Sequence, residues 1–530
     1  MRYTLLCCLL AICLFSPAQI NVEWSFVHRV PGEMFGMPEA IEVDASNHVY
    51  LAGHSLEQGR QHHHVTVYKL DPSGNVVWST RDTTISNVLG MVEHNGEVFL
   101  MGSYGGTNAA TRLIGLDSTG TESWRVSSLY PNLLANRGVL ELTATGELAF
   151  GIQRHSDTNP ADFVVGKYDL NGNQLWNNIY TEPGDHIFFD LATDAQGNIF
   201  VTGMGNFVYD ALNFTYAYGV VMMVKFDGGG AGILWDNPFT LGWQFDHGTG
   251  VEVSPNGDPY VLGWGQNQGV NNIRTMRYDG GTGGVIWSDF YPSQSLSWGK
   301  GIAVNDTSAF FAGIASDSSI GITPILKGYD SNGLSSWQYS RATANPVGTW
   351  EPTDLSFDDA GNLVCIGYYS DDPNNYDSWV EVHSPQGTLL GELVFRDSSN
   401  AWEIPRCIKT GSAGVIYLSG LGVPSLGQTE FMVTKLNAAA TTTDGEIDSG
   451  GLTMEVFPNP LQEEATLLFS EPVPPGTVLN LYNDLGQMVR EQSVVGQSTV
   501  ISKGSLSAGV YFVRVLSPQG PLGSTRLLVR

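Results

Sequence analysis

The chain has 530 residues, of which 42% are hydrophobic, 11% aromatic and only 15% charged, and it contains 63 glycines. This composition suits a protein of many short strands and tight turns and excludes a disordered chain. The formal net charge of -28 at pH 7 repels nucleic acid and anionic membrane surfaces. Since Lys and Arg form no basic stripe, we expect no nucleic-acid partner.

The N-terminus has the layout of a secretory signal peptide. A positively charged start at residues 1–3 is followed by an apolar stretch at residues 5–15 and by the small-residue site Ser16-Pro17-Ala18. We predict a signal peptide at residues 1–18 and Sec-dependent export to the periplasm. A lipoprotein site at Cys13 is the alternative, although Ile12 is bulky where such sites need Gly or Ala. No later segment approaches the roughly 20 apolar residues of a transmembrane helix.

Residues 19–437 contain a repeat with a period of about 50 residues. Its signature is an apolar strand that ends in glycine, as in Tyr50-Leu51-Ala52-Gly53. The corresponding glycines of the other units are Gly102, Gly151, Gly203, Gly263, Gly313, Gly367 and Gly420. Units of this length predict an all-β fold, a β-propeller with eight four-stranded blades, with seven blades as the alternative.

Each unit can be divided into four strands. An Asx or Gly turn such as Asp194-Ala195-Gln196-Gly197-Asn198 joins the first two strands, and an Asp-x-x-Gly turn precedes the fourth. The fourth strand carries a tryptophan, except in the seventh unit, which has Leu389-Leu390. The eighth unit stops after its third strand, at Leu436, whereas the orphan segment around Trp24 matches a fourth strand. We therefore predict that the Trp24 segment completes the eighth blade and closes the ring.

These units resemble the bacterial β-propeller repeats that are common in secreted Bacteroidota proteins. The resemblance implies a fold but not a function, because propellers include enzymes, lectins and scaffolds. Residues repeated in every unit are assigned to blade construction. Beyond the signal peptide only Cys365 and Cys407 remain, and two buried free thiols are favoured over a disulfide.

Large aromatic residues recur in the segments that enter the later blades. They should gather around one mouth of the central channel, where aromatic surfaces stack on sugar rings or peptide side chains. Packing between neighbouring blades is the alternative. The predicted ligand-binding residues are Trp243, Trp298, Trp350 and Trp402, accompanied by Phe245, and earlier blades have Phe35, Leu133 and His186 at similar positions.

Two segments have the composition of metal sites. His62-His63-His64 lies between the second and third strands of the first blade but lacks a recognisable third or fourth ligand. In the seventh blade, Asp371, Asp372 and Asp377 belong to an oxygen-rich loop that could hold Ca²⁺, although the spacing is not that of a recognised calcium loop. A solvated polar loop is the alternative. No other cofactor is expected.

The C-terminal part reads as a separate small domain. Residues 438–451 are small and polar, as an exposed linker should be, and residues 452–530 alternate as in a small immunoglobulin-like β-sandwich. Three motifs occur in order before the chain end, and they are Met454-Glu455-Val456-Phe457-Pro458-Asn459-Pro460, Leu481-Tyr482-Asn483-Asp484-Leu485-Gly486-Gln487-Met488-Val489 and Leu506-Ser507-Ala508-Gly509-Val510-Tyr511-Phe512-Val513-Arg514-Val515.

These motifs resemble the type A C-terminal sorting domain of the type IX secretion system of Bacteroidota. The resemblance implies that residues 452–530 dock on the secretion machinery and are removed by a sortase-type protease. The passenger would then be attached to surface lipopolysaccharide or released. We expect a secreted protein or one at the outer-membrane surface.

Three functions are compatible with this organisation. A non-enzymatic binding or scaffold protein for a glycan or protein ligand is favoured, because no nucleophile elbow, His-Glu-x-x-His pair or phosphate-binding loop occurs. The alternatives are an extracellular polymer-degrading hydrolase or lyase with acidic residues in the channel, and a structural or adhesive component of the envelope. Carboxylates that converged with an aromatic platform in a deep pocket would favour the enzyme.

Overall fold

The computed structural model describes residues 20–530 apart from gaps at 29–32, 58–62, 105–109, 130–136, 157–158, 182–183, 211–214, 241–243, 268, 292–295, 318–320, 342–348, 373–374, 396–401, 426–427, 438–453, 458, 483–487, 505, 508 and 518–519. The chain divides into two compact units, one of which is residues 20–439. The predicted signal peptide and linker lie outside the described residues. Among the residues that are described, no helix is long and apolar enough to cross a membrane.

The larger unit consists of eight four-stranded antiparallel sheets, which confirms the predicted propeller. The first four blades are formed by β2 (Glu33–Val43), β3 (Val49–Glu57), β4 (His64–Leu70) and β5 (Val76–Asp82); β6 (Asn87–His94), β7 (Glu97–Tyr104), β8 (Ala110–Leu116) and β9 (Glu122–Val126); β10 (Gly138–Leu142), β11 (Leu148–Ser156), β12 (Asn159–Tyr168) and β13 (Gln174–Tyr180); and β14 (Asp185–Thr193), β15 (Ile199–Asp210), β16 (Thr215–Phe226) and β17 (Ile233–Asp236).

The remaining blades repeat the same antiparallel meander. They are formed by β18 (Gln244–Val253), β19 (Pro259–Asn267), β20 (Val270–Tyr278) and β21 (Val285–Tyr291); β22 (Leu296–Val304), β23 (Ser308–Asp317), β24 (Gly321–Asp330) and β25 (Ser335–Ser340); β26 (Thr349–Phe357), β27 (Leu363–Asp372), β28 (Asn375–His383) and β29 (Leu389–Phe395); and β30 (Trp402–Thr410), β31 (Val415–Ser425), β32 (Gln428–Asn437) and β1 (Asn21–His28). A short 3-10 helix, Ser412–Gly414, lies between β30 and β31.

The N-terminal strand closes the ring, as predicted. β1 pairs antiparallel with β32, with Trp24 opposite Lys435 and His28 opposite Phe431. The first strands of successive blades contact one another all the way round, including β30 with β2. No blade of the propeller therefore presents the unpaired third strand that an unclosed ring would leave.

In every blade except the seventh, the repeated tryptophan joins the blade to the next one. Its Nε1 donates a hydrogen bond to a backbone carbonyl in the turn before the fourth strand of the following blade, at 2.8–3.3 Å. The turn glycine lies under the indole; a Cβ on Gly120, which has φ +80°, would come 2.6 Å from Trp78. The tryptophans are Trp24, Trp78, Trp124, Trp176, Trp235, Trp287 and Trp337.

A repeated cation packs inside several blades. The Lys or Arg of the third strand lies against an aromatic ring, at 4.8 Å for Lys69 over Tyr50 and 4.7 Å for Lys225 over Phe200. Lys167 is 1% exposed and pairs with Glu147 at 2.7 Å, so even the buried ammonium groups have a partner.

Residues 454–530 form two antiparallel sheets, one of three strands and one of four, as predicted for a small sandwich. Apolar side chains from both sheets, among them Leu467, Leu481 and Val513, are fully buried between them. The strands are β33 (Met454–Phe457), β34 (Glu464–Val473), β35 (Val478–Tyr482), β36 (Met488–Ser493), β37 (Gly496–Ser502), β38 (Gly509–Ser517) and β39 (Gly520–Val529).

Both remaining cysteines are free, as predicted. Cys365 is buried and Cys407 is partly buried. Burial raises the pKa of the Cys407 thiol to about 12, and it raises the pKa of Cys365 well above its usual value. Neither thiol is therefore ionised near neutral pH, which leaves both of them unreactive.

Candidate functional site

A β-bulge shapes the inner strand of most blades. In seven of the eight first strands the register shifts just past the partner of the repeated glycine. The glycine is required because the bulged strand comes so close: a Cβ on Gly53 would lie 2.2 Å from the Met37 carbonyl oxygen, and one on Gly203 would lie 1.9 Å from that of Ile187. The glycine that marks the repeat thus permits the bulges that line the channel.

Carboxylates follow two of these bulges and bind the neighbouring blade. Asp190 accepts hydrogen bonds from the backbone N–H groups of Leu191 and Val251, both at 2.9 Å. Asp354 likewise accepts from Leu355 at 2.9 Å and from Ile408 at 3.0 Å. Each carboxylate therefore connects the first strands of two adjacent blades.

The channel contains further carboxylates, and their protonation is perturbed. Removal from bulk water raises the pKa of Asp190 and of Glu141 to about 7 and that of Asp354 to about 6. Desolvation and then the neighbouring Asp190 charge raise the pKa of Glu252 to about 8. Glu252 is exposed to channel water, and this hydration opposes the rise of its pKa.

One lysine partly offsets this negative charge. Lys409 Nζ lies 3.0 Å from Glu42 Oε1, and it also interacts with Asp354, Glu141 and Glu252. Because their pKa values lie near 7, the carboxyl groups of Asp190 and Glu141 are partly protonated at neutral pH. Within the described residues, no group of three or more His, Cys, Asp or Glu side chains is arranged to hold a metal ion.

The predicted aromatic residues lie at different positions along their strands relative to the repeated glycine. Trp298 pairs with Ile314, one step from the repeated Gly313, whereas Trp350 pairs with Tyr369, two steps from Gly367. Because side chains alternate along a strand, these two tryptophans face opposite sides of their blades. Trp402 pairs with Val423, but its side chain lies outside the described part of the structure, as does all of Trp243.

Trp350 is packed into the seventh blade. Its side chain is only 9% exposed, its ring lies 4.2 Å from that of Tyr369, and the guanidinium of Arg341 covers it at 3.9 Å. Trp298 is partly exposed. Of the predicted ligand-binding residues with described side chains, Trp298 is therefore the more accessible one.

The structure describes the side chains of some of the residues that the sequence predicts as metal ligands. His64 is 3% exposed, with Nε2 2.8 Å from Ser55 Oγ and Nδ1 3.0 Å from an Arg81 nitrogen, so both ring nitrogens have protein partners. His62 lies outside the described residues. Asp377 is 3% exposed, while only the backbones of Asp371 and Asp372 are described, within β27. Calcium binding by these aspartates stays a prediction.

A cavity of about 160 Å³ opens where the chain passes from the third to the fourth blade. It lies on what we call the entry face, the end of the propeller that carries the connections between blades and the loops between second and third strands. The cavity is lined by Tyr180, His186, Gly205, Asn206, Met222, Asp236 and Pro238.

Aromatic packing makes the floor of this cavity rigid. The Tyr180 ring stacks on Phe163 at 4.7 Å and meets the His186 ring edge-on at 4.9 Å. The Tyr180 hydroxyl donates to Asp236 Oδ2 at 2.7 Å. The buried amide of Gln153 donates to the His186 carbonyl at 3.2 Å and accepts from Phe188 N–H at 2.6 Å, which fixes the strand that carries His186.

Sequence reasoning identified one residue of this cavity and missed the others. His186 was recognised at an entry position, whereas Tyr180 and Asp236 end fourth strands of two different blades and only the fold brings them together. Asn206 has φ +50° at a register shift between Gly205 and Val208. A bulge of this kind has no sequence signal strong enough to locate it.

Comparison with known families identifies the C-terminal unit. Residues 455–529 match the family described as secretion system C-terminal sorting domain, so the chain carries a sorting domain of the type IX secretion system, as the motifs indicated. Comparison with curated proteins gives no significant match.

Solved structures with similar folds differ widely in sequence. PorZ, a bacterial surface component of the type IX secretion system of Porphyromonas gingivalis, is 13% identical, with 95% of this chain and 75% of that chain covered and a TM-score of 0.37. The apocarotenoid oxygenase of Synechocystis is 13% identical, with 69% and 94% covered and a TM-score of 0.41.

The fold and the family match together define an exported β-propeller. Its sorting domain marks the chain for the cell surface or for secretion through the type IX system.

Proposed function

We propose that this protein is a non-enzymatic binding protein, delivered by the type IX system to the cell surface or the surroundings, which holds a glycan or protein ligand on the entry face of its propeller. The observation that carries the proposal is the cavity at the fourth blade, where hydrogen-bonding groups and an immobilised aromatic ring converge. The partly exposed Trp298, on an inner strand near the same face, supports a wider binding surface.

The channel carboxylates are the observation that favours the alternative function, a polymer-degrading enzyme. Raised pKa values near neutrality are what a general acid needs, and Glu141 and Glu252 have them. However, Asp190 and Asp354 use their oxygens to bind backbone amides of the next blade, which is a structural task. The binding protein is therefore favoured over a hydrolase or lyase, and a purely adhesive envelope component remains the third candidate.

A glycan array and a polysaccharide-degradation screen on the purified full-length protein separate these functions. We expect binding of defined glycans without release of shortened products. Product formation that disappears in Glu252→Gln or Glu141→Gln would establish the enzyme instead. Absence of both binding and degradation, together with recovery of the protein in the insoluble cell envelope, would favour the adhesive component.

The remaining parts of the chain are assigned export roles in the same proposal. Residues 1–18 act as the signal peptide, and residues 438–451 form the linker in which a sortase-type protease cuts before the passenger is attached to the surface or released. N-terminal sequencing and intact mass of the exported protein test both boundaries. A mature protein that begins at Met1 or still contains residues 452–530 would contradict them.

A further inference from the structure

We propose that the cavity lined by Tyr180, His186, Asn206 and Asp236 is a subsite for a single neutral sugar residue. This inference rests on the proposed binding function and narrows its ligand to a saccharide. It uses only the described residues of the third and fourth blades: Tyr180 and Met222 also belong to the buried core of these blades, whereas Asn206 and Asp236 are exposed.

The cavity has room for about one ring. Pockets for drug-sized ligands measure roughly 300–1,000 Å³, whereas this cavity measures about 160 Å³. Its walls are set before any ligand arrives, because Tyr180 is held between Phe163 and His186 and because Gln153 fixes the His186 backbone. A preformed site avoids the cost of ordering side chains on binding.

The absence of a side chain at Gly205 keeps the cavity open. A Cβ placed there would lie 3.3 Å from His186 Nδ1 and would crowd the imidazole. The next residue, Asn206, adopts φ +50°, and it is exposed at the bulge of the β15–β16 hairpin, whose strands of 12 residues are the longest among those described. The bulge therefore places an amide with two donors and an acceptor at the edge of the cavity.

The hydrogen-bonding groups select the chemistry of the ligand. The Asp236 carboxylate only accepts, and the Tyr180 hydroxyl has already given its hydrogen to Asp236, so towards a ligand it also accepts. A ligand must therefore donate to these two groups and accept from the Asn206 amide. Neighbouring hydroxyl groups of a sugar do both, whereas an ammonium ion can only donate.

Charge and apolar contacts point to the same class. The Asp236 carboxylate disfavours anions, as does the net charge of -28 on the chain. Pro238, which is exposed, offers apolar surface for the C–H face of a pyranose ring, while Met222 and Tyr180 are almost fully buried and close the floor beneath it. The Asp236 carboxylate would repel an anionic ligand, and a fully apolar ligand would form no hydrogen bond with Asp236 or Asn206.

The test measures binding of neutral monosaccharides to the full-length protein by saturation-transfer NMR and calorimetry, followed by array glycans that end in the best sugar. Asp236→Ala and Asn206→Gly should each weaken binding at least tenfold. Matched controls lie at the opposite end of the propeller: exposed Asp306 for Asp306→Ala, and Asn95, whose φ is +53°, for Asn95→Gly. Both controls should bind as the unmodified protein does.

Three results would overturn the subsite. If glycans bind equally well to both variants, the cavity is not the site, while the proposed binding function stands. If simple amines bind and neutral sugars do not, the saccharide assignment is wrong. If the unmodified protein binds no glycan at all, the saccharide assignment fails, and the binding function survives only if a protein ligand is found. Circular dichroism and melting curves of each variant establish that loss of binding is not loss of fold.

Discussion

At the residue scale, the recurring tryptophan of the fourth strand and the recurring glycine of the turn contact each other across the boundary between two neighbouring blades. Trp78 donates to the Ser118 carbonyl at 3.0 Å, while Gly120 lies beneath its ring. The seventh blade has leucines in place of the tryptophan, and the reason is local. Its neighbour, the eighth blade, takes its fourth strand from the N-terminus and so has no turn for an indole to cover.

This contact can be measured with a pair of glycine substitutions. Gly120 and Gly146 have φ of +80° and +83°, but only Gly120 has an indole within 4 Å of an added Cβ. Gly146→Ala should cost about 1 kcal/mol for the left-handed backbone alone, and Gly120→Ala should cost about 1–3 kcal/mol more through the clash. Urea unfolding of both variants gives the difference. Equal losses would show that the indole contributes nothing at this turn.

Truncation of the predicted ligand-binding tryptophans separates packing from binding. Because Trp350 is buried against Tyr369 and Arg341, Trp350→Ala should lower the free energy of unfolding by about 3–5 kcal/mol. Trp298→Ala should cost less, because Trp298 is partly exposed, and should weaken glycan binding if the surface extends beyond the cavity. Denaturant unfolding and array binding are the two measurements. A stable Trp350→Ala protein would contradict the packing assignment.

The channel carboxylates predict how stability depends on pH. Their pKa values are raised in the folded state, so the folded protein keeps protons that the unfolded chain has lost. Their stabilising contribution is complete below about pH 4 and is lost as the pH rises through about 6–7. Carboxylates whose pKa is lowered, such as Asp71 through its hydrogen bonds from Asn75, contribute stability that is present above about pH 4 and is lost only as the pH falls below that value.

We therefore expect the melting temperature of the propeller to fall as the pH is raised from 5 to 8. Glu252→Gln should reduce this fall and stabilise the protein at pH 8, whereas Glu97→Gln, at the exposed start of β7, should leave the profile unchanged. Differential scanning calorimetry at several pH values provides the comparison. A melting temperature that rises over this interval would contradict the assignment.

At the element scale, most of the architecture could be predicted from the sequence, because strands, turns and blade contacts repeat. The match of the Trp24 segment to the other fourth strands predicts its place in the eighth blade, and the segment pairs with β32 as predicted. The channel carboxylates and the cavity could not be predicted. Asp190 and Val251 are 61 positions apart and meet only through the bulges, and Tyr180 meets Asp236 only across a blade boundary.

Deletion of the closing strand β1 tests whether this strand is needed to complete the eighth blade. Deleting residues 20–28 leaves β32 unpaired along its outer edge and removes the Trp24 bond to the Pro72 carbonyl. We expect a melting temperature lower by roughly 10 °C or more, since a whole strand of the last blade is lost, together with aggregation through the exposed edge. Addition of a synthetic peptide of residues 20–28 should restore part of the stability. An unchanged melting curve would show that β1 is not needed for closure.

At the scale of the whole molecule, the sorting domain and the propeller are separate units. All eight blades, including the closing strand, lie within residues 21–437, and the sorting domain has a core of its own. Deletion of residues 452–530 should therefore leave the propeller folded but strand it in the periplasm. Val513→Asp, which places a charge at a fully buried position of the sandwich, should have the same effect in the full-length chain. Cell fractionation and surface proteolysis locate each protein, and the unmodified chain provides the reference for surface display. Normal display of the truncated protein would show that another part of the chain carries the export signal.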